Sequence, residues 1–88
     1  MTSTFEEDEL QLDATRQVLD TWESILLSQV RALRSSSQPG AEEVDNLQQQ
    51  LYATARERRA LRAGDPAVAT ANERYSALIA AYHATKGG

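Results

Sequence analysis

The side chains that most often carry enzyme chemistry are sparse in this 88-residue chain. His83 is the single histidine, and there is no cysteine. A protein metal site needs several ligands that converge on the ion, so we expect no metal site and interpret His83 as a surface or core-edge residue. The lack of a thiol excludes disulfides and cysteine nucleophiles, and it fits a reducing compartment. We therefore predict no catalytic residue, no cofactor-binding residue and no metal ligand.

Carboxylates are numerous, but most lie where a helix is expected to begin, and there they stabilise the helix dipole. The net charge is −4, and the whole excess of acidic over basic residues lies in residues 1–34. Residues 35–88 are balanced, with six acids against six bases. Four of those bases lie close together: Arg56, Arg58, Arg59 and Arg62. The overall negative charge argues against nucleic acid as the main partner, because phosphate binding needs a basic face.

The connection from Leu61 to Ala67 organises the rest of the chain. Gly64 can take the left-handed conformation that closes a helix, and Asp65 can cap the next helix. Pro66 fits a first helical position, where no backbone donor is needed. Because so short a connection makes its two helices antiparallel, residues 41–86 are predicted to form a helical hairpin.

A long helix is predicted before the hairpin, over residues of about 4–34. Leucines repeat every seven residues along it: Leu12, Leu19, Leu26 and Leu33. Ser3 with Glu6, or Thr4 with Glu7, could form a capping box at its start. Residues 35–40, which are rich in Ser with one Pro and one Gly, form the linker to the hairpin.

Both helices of the hairpin carry apolar stripes at helical spacing. The stripe of the second helix consists of Val44, Leu47, Leu51, Ala55 and Leu61. Arg58 falls on this stripe, and we expect its stem to pack while its charge reaches water. The stripe of the third helix consists of Val68, Ala71, Tyr75, Leu78, Ile79 and Tyr82.

These patterns predict an all-α chain with a single domain, residues 1–88. The long first helix and the antiparallel hairpin would form a three-helix bundle or an intermolecular helical bundle. The first helix would be about 45 Å long and the others about 32 Å, at 1.5 Å per residue. We therefore expect the first helix to overhang the hairpin and to expose some of residues 10–19, or residues 25–33 at its other end. No run is long and apolar enough for a membrane span, so we predict a cytoplasmic protein without membrane insertion.

One resemblance is to an enzyme family. The first helix resembles the opening helix of the all-helical chorismate mutases, and a downstream Arg-Glu pair is similar to one that those enzymes use. The matching residues are Leu12, Asp13, Arg16, Leu19, Asp20, Leu26 and Leu27, with Arg56 and Glu57 downstream. The resemblance implies that Arg16 and Arg56 would bind substrate carboxylates.

A second resemblance is to secretion proteins. The segments Arg62–Asp65 and Asn72–Ile79 resemble the turn and second helix of type III secretion needle-subunit co-chaperones and of flagellar export chaperones. The segment Val44–Gln48, together with Asp65–Ala67, is similar to needle subunits themselves. This resemblance implies a helical protein that sequesters another helical protein.

We expect a non-enzymatic interaction protein that binds or assembles a helical partner, or a second copy of itself, through apolar helical faces. Its specific form would be a small export chaperone or co-chaperone. The alternatives are a chorismate-mutase-like enzyme and a structural coiled-coil subunit. The predicted protein-binding residues are Leu19, Trp22, Leu26, Tyr75, Leu78 and Tyr82, with Trp22 as the main anchor because large aromatics often dominate binding.

Overall fold

The computed structural model describes residues 4–36 and 40–86. It contains three α-helices: α1 (Thr4–Ser35), α2 (Ala41–Ala60) and α3 (Pro66–Lys86). No residue in the described ranges belongs to a strand. The all-α three-helix architecture is thus confirmed, and the helix bounds agree closely with the sequence patterns. Ser3 and residues 37–39 of the linker lie outside the described residues, so the expected pairing of Ser3 with Glu6 is not described.

The two shorter helices are organised around α1. The α2 helix runs antiparallel to it, since residues near Leu33 lie opposite residues near Leu47, and Asp20 lies opposite Arg58. The α3 helix runs parallel to α1: Asn72 bonds to Thr15, and residues around Ile79 follow further along. Beyond the turn that joins them, the backbones of α2 and α3 approach α1 but not each other. The predicted chain reversal is present, and α1 supplies the surface that both helices cover.

The overhang expected for α1 is reduced, because the two shorter helices are staggered along it. The α2 helix covers the C-terminal part of α1, and α3 covers the N-terminal part. The apolar row of α1 is therefore buried along most of its length: Leu12, Leu19, Trp22, Leu26 and Val30 are all at most 8% exposed. Of the residues expected to be exposed, Leu10 is 65% and Leu27 is 45% exposed, and Leu33 is half-buried.

Two polar residues are buried among these apolar ones, Thr15 and Thr54. Thr15 Oγ1 accepts a hydrogen bond of 3.0 Å from Asn72 Nδ2. Thr54 Oγ1 donates to the backbone oxygen of Gln50, at 2.8 Å. Each hydroxyl thus has a partner, which avoids the cost of a buried polar group without one.

The connection between α2 and α3 behaves largely as its sequence predicts. Asp65 Oδ1 accepts from the backbone N–H of Ala67 at 2.9 Å, and Pro66 is the first residue of α3. Gly64 has a φ of +84°, in the left-handed region. One detail differs: α2 ends at Ala60, and the extended Leu61 follows it. Gly64 therefore lies in a separate turn, closed by a 3.1 Å bond from Asp65 N to Arg62 O, and does not close α2 directly.

Candidate functional site

The six predicted protein-binding residues separate into two groups. Leu19, Trp22, Leu26 and Tyr75 are at most 8% exposed and belong to the internal core of the chain. Tyr82 is half-buried against the same core, and Leu78 is 39% exposed. A partner could contact the first four residues only after α1 separated from α2 or α3. Their burial places them in the core of the single chain, and their role in binding a partner stays a prediction. An accessible surface for a partner has to be sought among other residues.

An open groove between α1 and α2 is the strongest candidate for that surface. It has a volume of about 430 Å³ and lies at the C-terminal end of α1. Its apolar part is formed by Ala32 and Leu33 of α1 with Leu47 of α2. Its polar lining residues are Gln29, Glu43, Asn46 and Gln50. No residue of α3 lines it, so the groove opens to solvent where a third helix would otherwise lie.

The groove continues the face of α1 that α3 covers elsewhere. Leu33 follows Thr15 by 18 residues, which is five turns at 3.6 residues per turn, so the two side chains share one face of α1. Thr15 is fully buried and hydrogen-bonded to α3, whereas Leu33 is only half-buried. The same face is thus covered by α3 at one end and open at the other.

The polar rim can hydrogen-bond an incoming backbone or side chain. Gln50 Nε2 donates to Asn46 Oδ1 at 3.3 Å, one turn away on α2. This bond does not use the Gln50 carbonyl oxygen or the Asn46 amide N–H groups, which remain available to a ligand. An apolar floor with a few polar groups at its edge is the usual composition of a protein-binding groove.

A charged cluster lies further along the α1–α2 contact. Arg58 Nε is 2.8 Å from Asp20 Oδ1. The Arg58 guanidinium, which was expected to reach water, thus forms an ion pair with α1. Beside them, Glu23 Oε1 is buried without a hydrogen-bond partner among the described residues. Burial, together with the nearby Asp20, raises the pKa of Glu23, although Arg58 and Arg59 oppose this change.

The α2–α3 pair is connected by a second ion pair, between Glu57 and Arg74. The hydrogen bonds from Arg74 to Glu57 raise the pKa of that guanidinium. Arg74 also lies over the ring of Tyr75, 4.8 Å from its centroid. These contacts account for Glu57 as a structural residue that joins the two helices near their turn.

The two arginines of the chorismate mutase resemblance are not brought together in one described cavity. Arg56 is exposed on the outer face of α2 and lines a shallow depression formed by α2 alone, with Gln49, Tyr52 and Ala53. Arg16 is half-buried on α1 and is not part of that depression. Substrate binding by this pair stays a prediction.

Sequence reasoning missed most of the groove. Leu33 and Leu47 were recognised as stripe residues, but Gln29, Asn46 and Gln50 were not singled out. The available signal was the heptad row of α1, which continues to Leu33 beyond the region that one 21-residue helix can cover. The offset between α2 and α3, which decides where this row stays open, has no signature in a single sequence.

The molecule belongs to the class of all-α proteins with three helices packed side by side. Comparison with protein-family models finds no matching family, and searches of the curated proteins and of the solved structures find no match either. Within residues 4–36 and 40–86, no helix has the length and apolar character needed to cross a bilayer. In the same ranges, no three His, Cys, Asp or Glu side chains are grouped in a way that could hold a metal ion.

Proposed function

We propose that this protein is a non-enzymatic interaction protein that binds one amphipathic helix of a partner protein in the α1–α2 groove. The observation that carries the proposal is the open face of α1 at Leu33, which continues the face covered by α3 at Thr15. A helix already packs on one end of this face. The same ridges and grooves can therefore accept another helix at its open end.

The chemistry of the groove supports a helical occupant. Ala32, Leu33 and Leu47 would cover the apolar side of the incoming helix, and the rim amides would hydrogen-bond its polar edge. Grooves of this kind bind a helix through apolar side chains spaced three, four and seven residues apart. The partner helix is thus expected to carry two or three such anchors on one face.

The specific form of this proposal is a small export chaperone or co-chaperone in the cytoplasm. Its support is the resemblance of the segments around the α2–α3 turn to such proteins. A protein of that kind shields a helix of its client before export, and the open groove would serve that purpose.

Site-specific photocrosslinking in the cells that make the protein tests the proposal. A photoreactive residue is placed at Leu33, in the groove, and a matched one at Ser24, on the opposite face of the same helix. We expect a discrete crosslinked partner from Leu33 and none from Ser24. Peptide mapping of the adduct should identify an amphipathic helix as the crosslinked segment.

A blocking variant makes the test specific to the groove. Ala32 is exposed at the groove edge, so Ala32→Arg fills the groove with little effect on the core. It should remove the crosslink, whereas Ser24→Arg, with the same added side chain outside the groove, should leave it. The proposal is wrong if Leu33 crosslinks to nothing, if the adduct survives Ala32→Arg, or if the adduct is a second copy of this chain.

A further inference from the structure

A second surface, on the outer side of α2, is not explained by the groove. Tyr52, Arg56 and Arg59 are all exposed, and their spacing of four and three residues places them on one face of the helix. We call these three residues the basic face. Tyr52 is 74% exposed, the largest exposed fraction among the exposed large hydrophobic residues of the described chain. An exposed aromatic beside two arginines is typical of a protein-binding surface.

Arg56 of the basic face cannot be neutralised by α1 of the same chain, whereas Arg59 interacts electrostatically with Glu23 of α1. Arg58 turns toward α1 to reach Asp20. Arg56 precedes it by two residues, which is a rotation of about 200° around the helix, so Arg56 points away from α1. In the described part of the chain, Arg56 has no ion pair. A carboxylate that neutralises it has to come from another molecule.

The chain itself carries a complementary surface. Glu9, Leu10 and Asp13 are exposed on the outer side of α1, and we call them the acidic face. Residues 4–15 contain five carboxylates and no basic residue. Neither Glu9 nor Asp13 forms an ion pair within the described residues. Leu10, at 65% exposure, offers apolar area that could cover the ring of Tyr52.

The two faces lie at different positions along α1: the acidic face is near its start, and the pairing of Arg58 with Asp20 places the basic face beside its middle. The first turns of α1 are beside the α2–α3 turn, since Asp8 Oδ2 is only 3.2 Å from the place that a Cβ on Gly64 would take. The basic face lies in the last three turns of α2, which lead into that turn. A two-fold axis between these two positions would pair the acidic face of each chain with the basic face of the other.

We propose that two copies of this chain form a dimer in which the acidic face of each copy, Glu9, Leu10 and Asp13, contacts the basic face of the other, Tyr52, Arg56 and Arg59. The dimer leaves the α1–α2 groove of each copy open. Its formation is thus independent of the groove and of the proposed function.

The test uses mutual charge reversal, followed by light scattering and sedimentation equilibrium of the full chain. One variant is Arg56→Glu with Arg59→Glu, and the other is Glu9→Arg with Asp13→Arg. Each makes both faces of a chain carry the same sign, so each alone should have the monomer mass of 9.7 kDa. An equimolar mixture restores both contacts and should return to twice that mass. The wild-type dimer should dissociate at high salt, because the Debye length falls to about 3 Å at 1 M.

Circular dichroism should show that both variants keep their helices, and a matched control tests whether the position of the charges matters. Arg31→Glu with Arg34→Glu changes the net charge by the same amount as reversal of the basic face, but at the other end of α1. It should dimerise with a dissociation constant within threefold of the wild type, whereas reversal of the basic face should weaken dimerisation at least tenfold. The proposal is overturned by a wild type that is monomeric at low salt and millimolar concentration. It is also overturned by reversal variants that still dimerise alone, or by a mixture that stays monomeric.

Discussion

Replacement of Leu19 by alanine distinguishes a core role from an interface role for the apolar row of α1. Leu19 is 0% exposed, and it packs in the cluster with Trp22, Leu26 and Tyr75. Removing a fully buried leucine side chain costs about 2–5 kcal/mol, from lost burial and the cavity left behind. We expect Leu19→Ala to lower the free energy of unfolding by about 3 kcal/mol.

That loss is large for so small a domain. At roughly 0.05–0.15 kcal/mol per residue, the whole chain has a stability of about 4–13 kcal/mol. A shift of about 4–8 °C per kcal/mol predicts a fall in Tm of about 12–24 °C. Leu27→Ala is the matched control, because it makes the same substitution in the same helix at a residue 45% exposed and outside both proposed interfaces. Its effect should stay within about 0.5 kcal/mol.

Urea unfolding, followed by far-UV circular dichroism at several protein concentrations, measures both effects. A core residue gives the same loss at every concentration, whereas an interface residue gives a loss that depends on concentration. Equal midpoints for Leu19→Ala and Leu27→Ala would refute the assignment of Leu19 to the core. A Leu19→Ala defect that disappears at low protein concentration would also refute it, and would return Leu19 to a partner interface.

Three further predictions concern local contacts. Asp65→Ala removes the cap of α3 and should lower the free energy of unfolding, measured in urea, by about 1 kcal/mol. Asp65→Asn keeps an acceptor oxygen and should cost less, and equal losses for the two variants would contradict the capping role. Thr15→Val leaves the Asn72 amide without its partner and should lower the free energy of unfolding by about 1–3 kcal/mol. A double-mutant cycle with Asn72→Ala should show coupling between the two residues, and additive losses of stability would exclude the bond. The raised pKa of Glu23 means that the folded chain holds this proton more tightly than the unfolded chain, so its contribution to stability decreases as pH rises from the ordinary value of 4.5 through the folded pKa. Glu23→Gln should therefore stabilise the protein at neutral pH and flatten its stability profile above that value; a variant that is less stable at pH 7 than the wild type would contradict this sign.

The α2–α3 turn shows how much local sequence can predict. Asp65 caps α3 and Pro66 begins it because both effects depend only on backbone groups within one helical turn. Gly64 takes the positive φ that its lack of a Cβ permits. The end of α2 was less predictable. Leu61 is extended and buried in the core, so α2 ends at Ala60, before the glycine.

The two ion pairs show the opposite case. Arg58 was expected to reach water, and Glu57 matched a pair from an enzyme family. In the structure, Arg58 binds Asp20, 38 residues earlier in the chain, and Glu57 binds Arg74 on the next helix. Which charges meet depends on the rotation of one helix against another, and the spacing of residues within a single helix does not determine that rotation.

The sequence by itself determined the number, type and bounds of the helices, and which face of each is apolar. These properties follow from helical periodicity, capping residues and breakers, all of which act over a few residues. Only the tertiary structure decided that α2 and α3 are staggered along α1. That offset buries Leu19, Trp22, Leu26 and Tyr75 within the chain and leaves Leu33 facing an open groove. An apolar stripe indicates that one face of a helix will be covered. What covers that face depends on the relative lengths and offsets of helices that are distant in the chain.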